Sequence, residues 1–218
     1  MVEILIVINH IKKNIVTWQA KGKYDKVIDL KIQKLMNNQW LSDDYIYCFL
    51  KKMTAKFGSE LGLEDPLILS LFPEKLKKKK NFVRVCHSYG NHWVVLTTKN
   101  AKANHAILYD SMPRREIDDE LARTIRSSMC LDEDNDKITI EWRISQIQSG
   151  DWQCGYFSLA NAFALCIDLK PEELVFDEFL LRMHFIDILF GENELQMFPF
   201  IEATKKTVKQ NKHFVLDI

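Results

Sequence analysis

One stretch of this chain combines residue types that can carry out acyl transfer: Gln148-Ser149-Gly150-Asp151-Trp152-Gln153-Cys154-Gly155-Tyr156-Phe157. The pattern predicts that Cys154 stands where a polar, glycine-containing turn enters a buried helix. There the positive end of the helix and its first-turn N–H groups favour thiolate over thiol, which activates a nucleophile. The same N–H groups, with the side-chain amide of Gln148 six residues earlier, can bind the oxyanion of a tetrahedral intermediate. The competing reading of Cys154 is an inert thiol that packs as a small buried hydrophobe.

A thiolate nucleophile also needs an imidazole to hold the ion pair and protonate the leaving amine, and a third group to orient that ring. His92 opens an apolar strand, His-Trp-Val-Val-Leu, and Asp110 ends the next, Ile-Leu-Tyr-Asp-Ser, 18 residues on. Antiparallel pairing brings the start of the first strand beside the end of the second, so both meet at one sheet edge. His10, His87, His105, His184 and His213 lack a carboxylate ending a neighbouring strand and are read as surface or satisfied interior residues.

The elements that must position these groups follow from periodicity. Residues 82–86, 92–98 and 105–109 read as strands of an antiparallel meander, separated by Ser/Gly/Asn-rich turns. Residues 137–144 alternate as a further strand, with Ile138, Ile140, Trp142 and Ile144 on one face. Residues 154–167 are apolar and rich in small side chains, as in a helix buried on nearly all sides. Helices are also expected from Ser42 to near Gly58, over 67–76 and over 117–129, and one opened by Pro171-Glu172-Glu173. The N-terminal run 1–8 reads as a buried strand, the acidic run 132–136 as a turn, and the basic run 77–80 as a solvated helix end, with nuclear import as the competing reading.

Composition narrows the function classes. The 218 residues carry 30 Lys+Arg against 30 Asp+Glu, a net charge of zero that argues against a nucleic-acid binder. At 47% hydrophobic and 28% charged, with 7 Gly and 5 Pro, the chain reads as one compact domain, 1–218, able to bury roughly 70% of its unfolded surface. Five widely spaced cysteines, without a C-x-x-C pair, argue against a disulfide framework or structural zinc. No apolar segment is long enough to span a membrane. A protein of the nucleus or cytoplasm is expected, with no metal, no cofactor and no membrane or nucleic-acid partner; oligomeric state is unreadable.

Trp40-Leu41-Ser42-Asp43, His92-Trp93, Tyr109-Asp110-Ser111 and Gln148 through Cys154-Gly155, in that order, resemble the motifs of the ubiquitin-like-protein-specific cysteine proteases, the Ulp/SENP family with its adenain-like viral relatives. The resemblance covers about residues 30–188. Phe176-Asp177, Arg182-Met183-His184 and Phe198-Pro199 are also similar to a divergent branch found in invertebrate, viral and transposon-associated sequences. The resemblance implies an α+β, papain-like cysteine protease fold: a mixed, mainly antiparallel sheet flanked by helices, with the nucleophile at the N-terminus of a buried helix. It implies Cys154 as nucleophile, His92 as general base and acid, Asp110 as the residue orienting His92, and Gln148 with the Cys154 N–H as the oxyanion hole. Trp40 and Trp93 match the two tryptophans that clamp a modifier's tail, and Asp43, with Asp44 equally placed, an acid that pairs with a basic group on the modifier.

The implied activity is a thiol hydrolase cleaving after the C-terminal Gly-Gly of a ubiquitin-like modifier, with SUMO ahead of ubiquitin or a Nedd-type modifier. The alternatives are an adenain-like peptide protease, an acetyltransferase of the bacterial-effector kind, and a non-catalytic modifier-binding module. Two departures stand out: Gln153 replaces the usual Asp before the nucleophile, and Trp152 adds a bulky residue that either shapes the rim or packs beneath it.

Overall fold

The computed structural model describes residues 26–72, 75–76, 79–88, 90–112, 117–129, 137–191, 194–202 and 214–217. The expected strand over 1–8, the acidic turn and part of the basic run lie outside them. A five-stranded sheet has the order β1-β2-β3-β4-β7, built from β1 (Val83–Ser88), β2 (His92–Thr97), β3 (His105–Asp110), β4 (Thr139–Ile144) and β7 (Phe214–Asp217). β1, β2 and β3 form the expected antiparallel meander. Asn100 and Asn104 turn the chain between β2 and β3 with φ of 61° and 57°, the left-handed region that asparagine tolerates. β4 runs parallel to β3 and antiparallel to β7, so the sheet is mixed but mainly antiparallel. A parallel step needs a crossover, and α4 (Asp119–Met129) lies on that connection.

The remaining helices are α1 (Lys26–Met36), α2 (Asp43–Phe57), α3 (Pro66–Leu71), α5 (Cys154–Cys166) and α6 (Glu178–Phe190). Every residue of α5 from Cys154 to Leu165 is buried. A helix apolar on all sides must be covered on all sides: α5 packs on β1, β2 and β3, and α2 and α6 close over it. On that face the core gathers Val83, Val85, Val95, Ile107, Phe157 and Phe163, while Phe49 of α2 stacks on Phe185 and Phe198 with centroids 5.5 and 5.4 Å away. The opposite face of the sheet, with Val94, Leu96, Leu108, Ile140 and Trp142, is covered by Leu69 of α3 and by Leu121 and Ile125 of α4. Among the described residues no helix is long and apolar enough to cross a membrane.

Two expectations are corrected. The helix expected over 67–76 stops at Leu71; Phe72 leaves helical geometry at φ −136° because Pro73 follows, and the residue before proline is driven out of the α region. Pro171-Glu172-Glu173 opens only a single 3-10 turn. Leu174-Val175-Phe176 then becomes β5 and pairs antiparallel with β6 (Phe200–Glu202), and the long helix starts at Asp177, whose carboxylate accepts the N–H groups of Phe179 and Leu180. An acidic N-cap ahead of a long apolar run outweighs a proline at N1.

One contact joins α5 to the segment before α2. A Cβ on Gly155 would lie 2.9 Å from the Cβ of Leu41, so only glycine lets Leu41 sit on the first turn of α5. Gly155→Ala gains about 1 kcal/mol of helix propensity but meets an overpacking cost of about 1–3 kcal/mol. Urea denaturation is expected to read a net loss of about 1 kcal/mol; a stabilised variant would show that the Leu41 segment yields freely.

Candidate active site

The strand register predicts which side chains meet. Val95 pairs with Tyr109 and Leu96 with Leu108; continuing the ladder sets Asp110 opposite Val94, one diagonal from His92 and on the same face. The imidazole donates its Nε2–H to Asp110 Oδ1 at 2.6 Å, and both side chains are buried. Asp110 Oδ1 also accepts the Met112 N–H at 2.8 Å, which fixes the carboxylate on its own backbone. Nδ1 is left for a second partner, and the Cys154 thiol lies near enough to the ring to favour its charged form. Sγ lies 3.8 Å from the carbonyl oxygen of Asn91, the residue before His92.

Burial opposes a charge on this imidazole, yet the hydrogen bonds to Asp110 and Cys154 and their charges outweigh it and push His92 up to about 9. An imidazolium held between a carboxylate and a sulfur can stabilise a thiolate and later surrender its proton to a leaving amine. Burial pushes the Cys86 thiol and the partly buried Cys166 thiol up to about 12, where they are inert at neutral pH.

The first turn of α5 carries no side-chain cap, whereas Asp65 and Asp177 cap α3 and α6. Its amides are therefore available for developing negative charge beside Cys154. Gln148 is buried, with Oε1 accepting the Ser111 hydroxyl at 2.6 Å and Nε2 donating to Gly150 O at 2.5 Å. An amide nitrogen has two hydrogens, so one remains for an oxyanion.

Trp40 and Trp93 line one cleft of about 500 Å³ together with Leu41, Asp43, Pro66, His87 and Asn91. Trp93 is 5% exposed and donates its indole N–H to Leu41 O at 2.9 Å, while Trp40 is 39% exposed at the rim. Asn91 lines this cleft, and its carbonyl oxygen is the group beside the Cys154 thiol. Asp43, the first residue of α2, lines it too. The structure thus gathers Cys154, His92 and Asp110 in one cluster and Trp40, Trp93 and Asp43 around one cleft. Trp152 packs inward, edge-on to Tyr156 at 5.7 Å and beneath the Arg182 guanidinium at 4.9 Å.

Sequence reasoning missed His87, which lies edge-on to Trp93 at 5.0 Å and lines the cleft, and Glu178, which grips the loop before Cys154 from α6. His87 has no carboxylate near it in sequence, and Glu178 lies 24 residues beyond Cys154, so no local pattern marks either. His184 is a satisfied interior histidine, bonded to Gln196 O at 3.0 Å.

No protein-family profile matches the chain, and no curated protein matches it. Among solved structures it is similar to the yeast C-terminal Ulp1 protease domain in complex with Smt3, the yeast ortholog of SUMO, at 15% identity over 72% of this chain and 80% of that one, TM-score 0.45. It is similar to SUMO protease Ulp1 with its catalytic cysteine oxidized to a sulfonic acid, at 15% identity over 72% and 81%, TM-score 0.48. A third neighbour is the Xanthomonas campestris effector XopD bound to ubiquitin, at 17% identity over 66% and 88%, TM-score 0.44. At such values the likeness carries no argument of its own, and the functional reading rests on the geometry above.

Replacing Asp110 by Asn removes the counter-charge and leaves the burial. The His92 titration is expected to fall from about 9 to roughly 6–8, read by NMR of the labelled imidazole. A value still near 9 would mean that Asp110 does not hold the charge.

Proposed function

We propose that this chain is a thiol hydrolase that cleaves after the C-terminal Gly-Gly of a ubiquitin-like modifier. The observation that carries the reading is Asn91, which lines a cleft walled by two indoles, sets its carbonyl beside the Cys154 thiol and precedes the hydrogen-bonded His92–Asp110 pair. Two flat rings can admit an extended tail without side chains and turn away a bulkier one. The indole of Trp93 is fixed to Leu41 O, and Leu41 is seated on Gly155, so the wall of the cleft and the nucleophile helix are held at a set spacing.

In the first half of the reaction the Cys154 thiolate, paired with the His92 imidazolium, attacks the carbonyl carbon of the terminal glycine. The carbonyl π pair moves onto oxygen, facing the Cys154 N–H and the remaining Gln148 amide hydrogen. His92 passes its proton to the substrate nitrogen, the C–N bond breaks, and the amine leaves behind a thioester. Water then attacks the thioester, His92 takes its proton, and the sulfur departs from carbon to restore the His92–Cys154 pair. Asp110 remains a carboxylate and orients the ring throughout. Two of the similar solved structures hold Smt3 and ubiquitin, so both modifiers belong in the test that follows.

The test is intact-protein mass after mixing with ubiquitin, SUMO and Nedd-type modifiers that carry a C-terminal electrophile. A mass gain with one modifier, absent in Cys154→Ala, is expected, and changing its Gly-Gly to Ala-Ala is expected to lower kcat/KM about 10–200-fold. Labelling by none of them, with cleavage of short Gly-containing peptides, would make the chain a peptide protease; no labelling and no cleavage from folded protein would leave a binding module.

A further inference from the structure

The loop between the two candidate oxyanion donors is held from outside. Gln148 and Cys154 bracket residues 149–153, and the Gly150 peptide ties both ends: its carbonyl accepts the Gln148 side chain at 2.5 Å, and its N–H is accepted by Gln153 Oε1 at 2.8 Å. The buried Gln153 amide donates in turn to Ser149 Oγ at 3.0 Å and to Glu178 Oε2 at 2.7 Å. Glu178 Oε1 accepts the Ser149 N–H at 2.9 Å, and Oε2 accepts the Ser149 hydroxyl at 2.5 Å. Every polar atom of the Gln153 and Glu178 side chains therefore faces this loop. Capping of α6 is already done by Asp177, so Glu178 is not needed there. One turn on, Arg182 covers Trp152 of the same loop and donates to Met36 O at 2.9 Å and Asn38 Oδ1 at 2.5 Å, just before Trp40. The face of α6 bearing Glu178 and Arg182 at i and i+4 is thus a brace for the segment entering the nucleophile.

We propose that Glu178 is a positioning residue for oxyanion stabilisation: through Ser149 and Gln153 it holds the 149–153 loop so that the Gln148 amide and the Cys154 N–H converge on one point. The proposal rests on the hydrolase reading above. It also gives Gln153 a physical role, because an amide can accept from Gly150 and donate to Glu178 at once, which a carboxylate at position 153 facing Glu178 could not do without repulsion. A misplacement of about 1 Å in such donors costs on the order of 100-fold in rate, while the thiol itself is held by other residues.

The experiment compares wild type, Glu178→Ala, Glu178→Gln and the reciprocal swap Glu178→Gln with Gln153→Glu. The swap reverses the donor and acceptor across the pair and keeps an acceptor for Gly150. Three readouts are taken: kcat and KM on a Gly-Gly coumarin amide of the modifier that labels Cys154, affinity for a peptide ending in a Gly-Gly aldehyde, and the rate of Cys154 alkylation by iodoacetamide, which forms no oxyanion. For Glu178→Ala the expected result is a fall in kcat of roughly 100-fold, a comparable loss of aldehyde affinity, a KM within about twofold and unchanged alkylation. Glu178→Gln is expected to be impaired and the swap to recover most of the loss. A kcat close to wild type in Glu178→Ala, an equal loss of alkylation, or a swap no better than Glu178→Gln would each overturn the proposal. Were Glu178→Ala to misfold, the single and swapped variants would decide. A wild-type chain inert to both modifier and aldehyde would remove the hydrolase reading itself and the proposal with it, a failure distinct from one seen only in the variants.

Discussion

A buried imidazole can carry charge only beside its counter-charge, and the placement of His92 against Asp110 sets the conditions for everything around it. Burial alone would keep the ring neutral; the 2.6 Å bond to a carboxylate, with the Cys154 sulfur nearby, reverses that balance. The pairing is a property of the sheet, because antiparallel register fixes the diagonal and the Met112 N–H fixes the carboxylate. A one-residue slip of β3 against β2 would turn Asp110 to the other face and leave His92 buried without a partner.

The sheet supplies His92 and Asp110 and α5 supplies the sulfur, so the proposed chemistry depends on how helix and sheet edge are spaced. That spacing is set by packing: a helix buried on all sides cannot shift without displacing β1, β2, α2 and α6 together. Gly155 permits the last close approach, bringing Leu41 onto the first turn of α5, and Leu41 passes the constraint to Trp93 through its carbonyl. Arg182 ties the segment just before Trp40 to Trp152. The indole-walled cleft, Cys154 and the loop are thereby mechanically one piece, as the proposed reaction requires, since its rate depends on close alignment.

Much of this could be read from the residues. Strand ends at His92 and Asp110, separated by an Asn-rich turn, foretold their meeting, and the small-residue apolar run after Cys154 foretold a helix covered on every side. Short-range signals misled where two of them competed: Pro171 carried the N1 signature, but Asp177 held the stronger cap and the chain between them was recruited by β6. Contacts made by one helix face onto a distant loop left no trace. Glu178 reads as an ordinary acid in a first helical turn, and only the tertiary packing of α6 shows that its oxygens face Ser149 and Gln153. Trp152 was ambiguous for the same reason, since its partners Tyr156 and Arg182 lie on two different helices.

The central claim is that Cys154 and His92 act as one unit, and the most direct test is a cycle of kcat/KM for Cys154→Ala, His92→Ala and the double variant on a labelled modifier's coumarin amide. Groups that act as a unit are not additive, so the double variant is predicted to be no slower than either single one, each near the background rate. Losses that add on the free-energy scale, or a His92→Ala variant within about tenfold of wild type, would contradict the account.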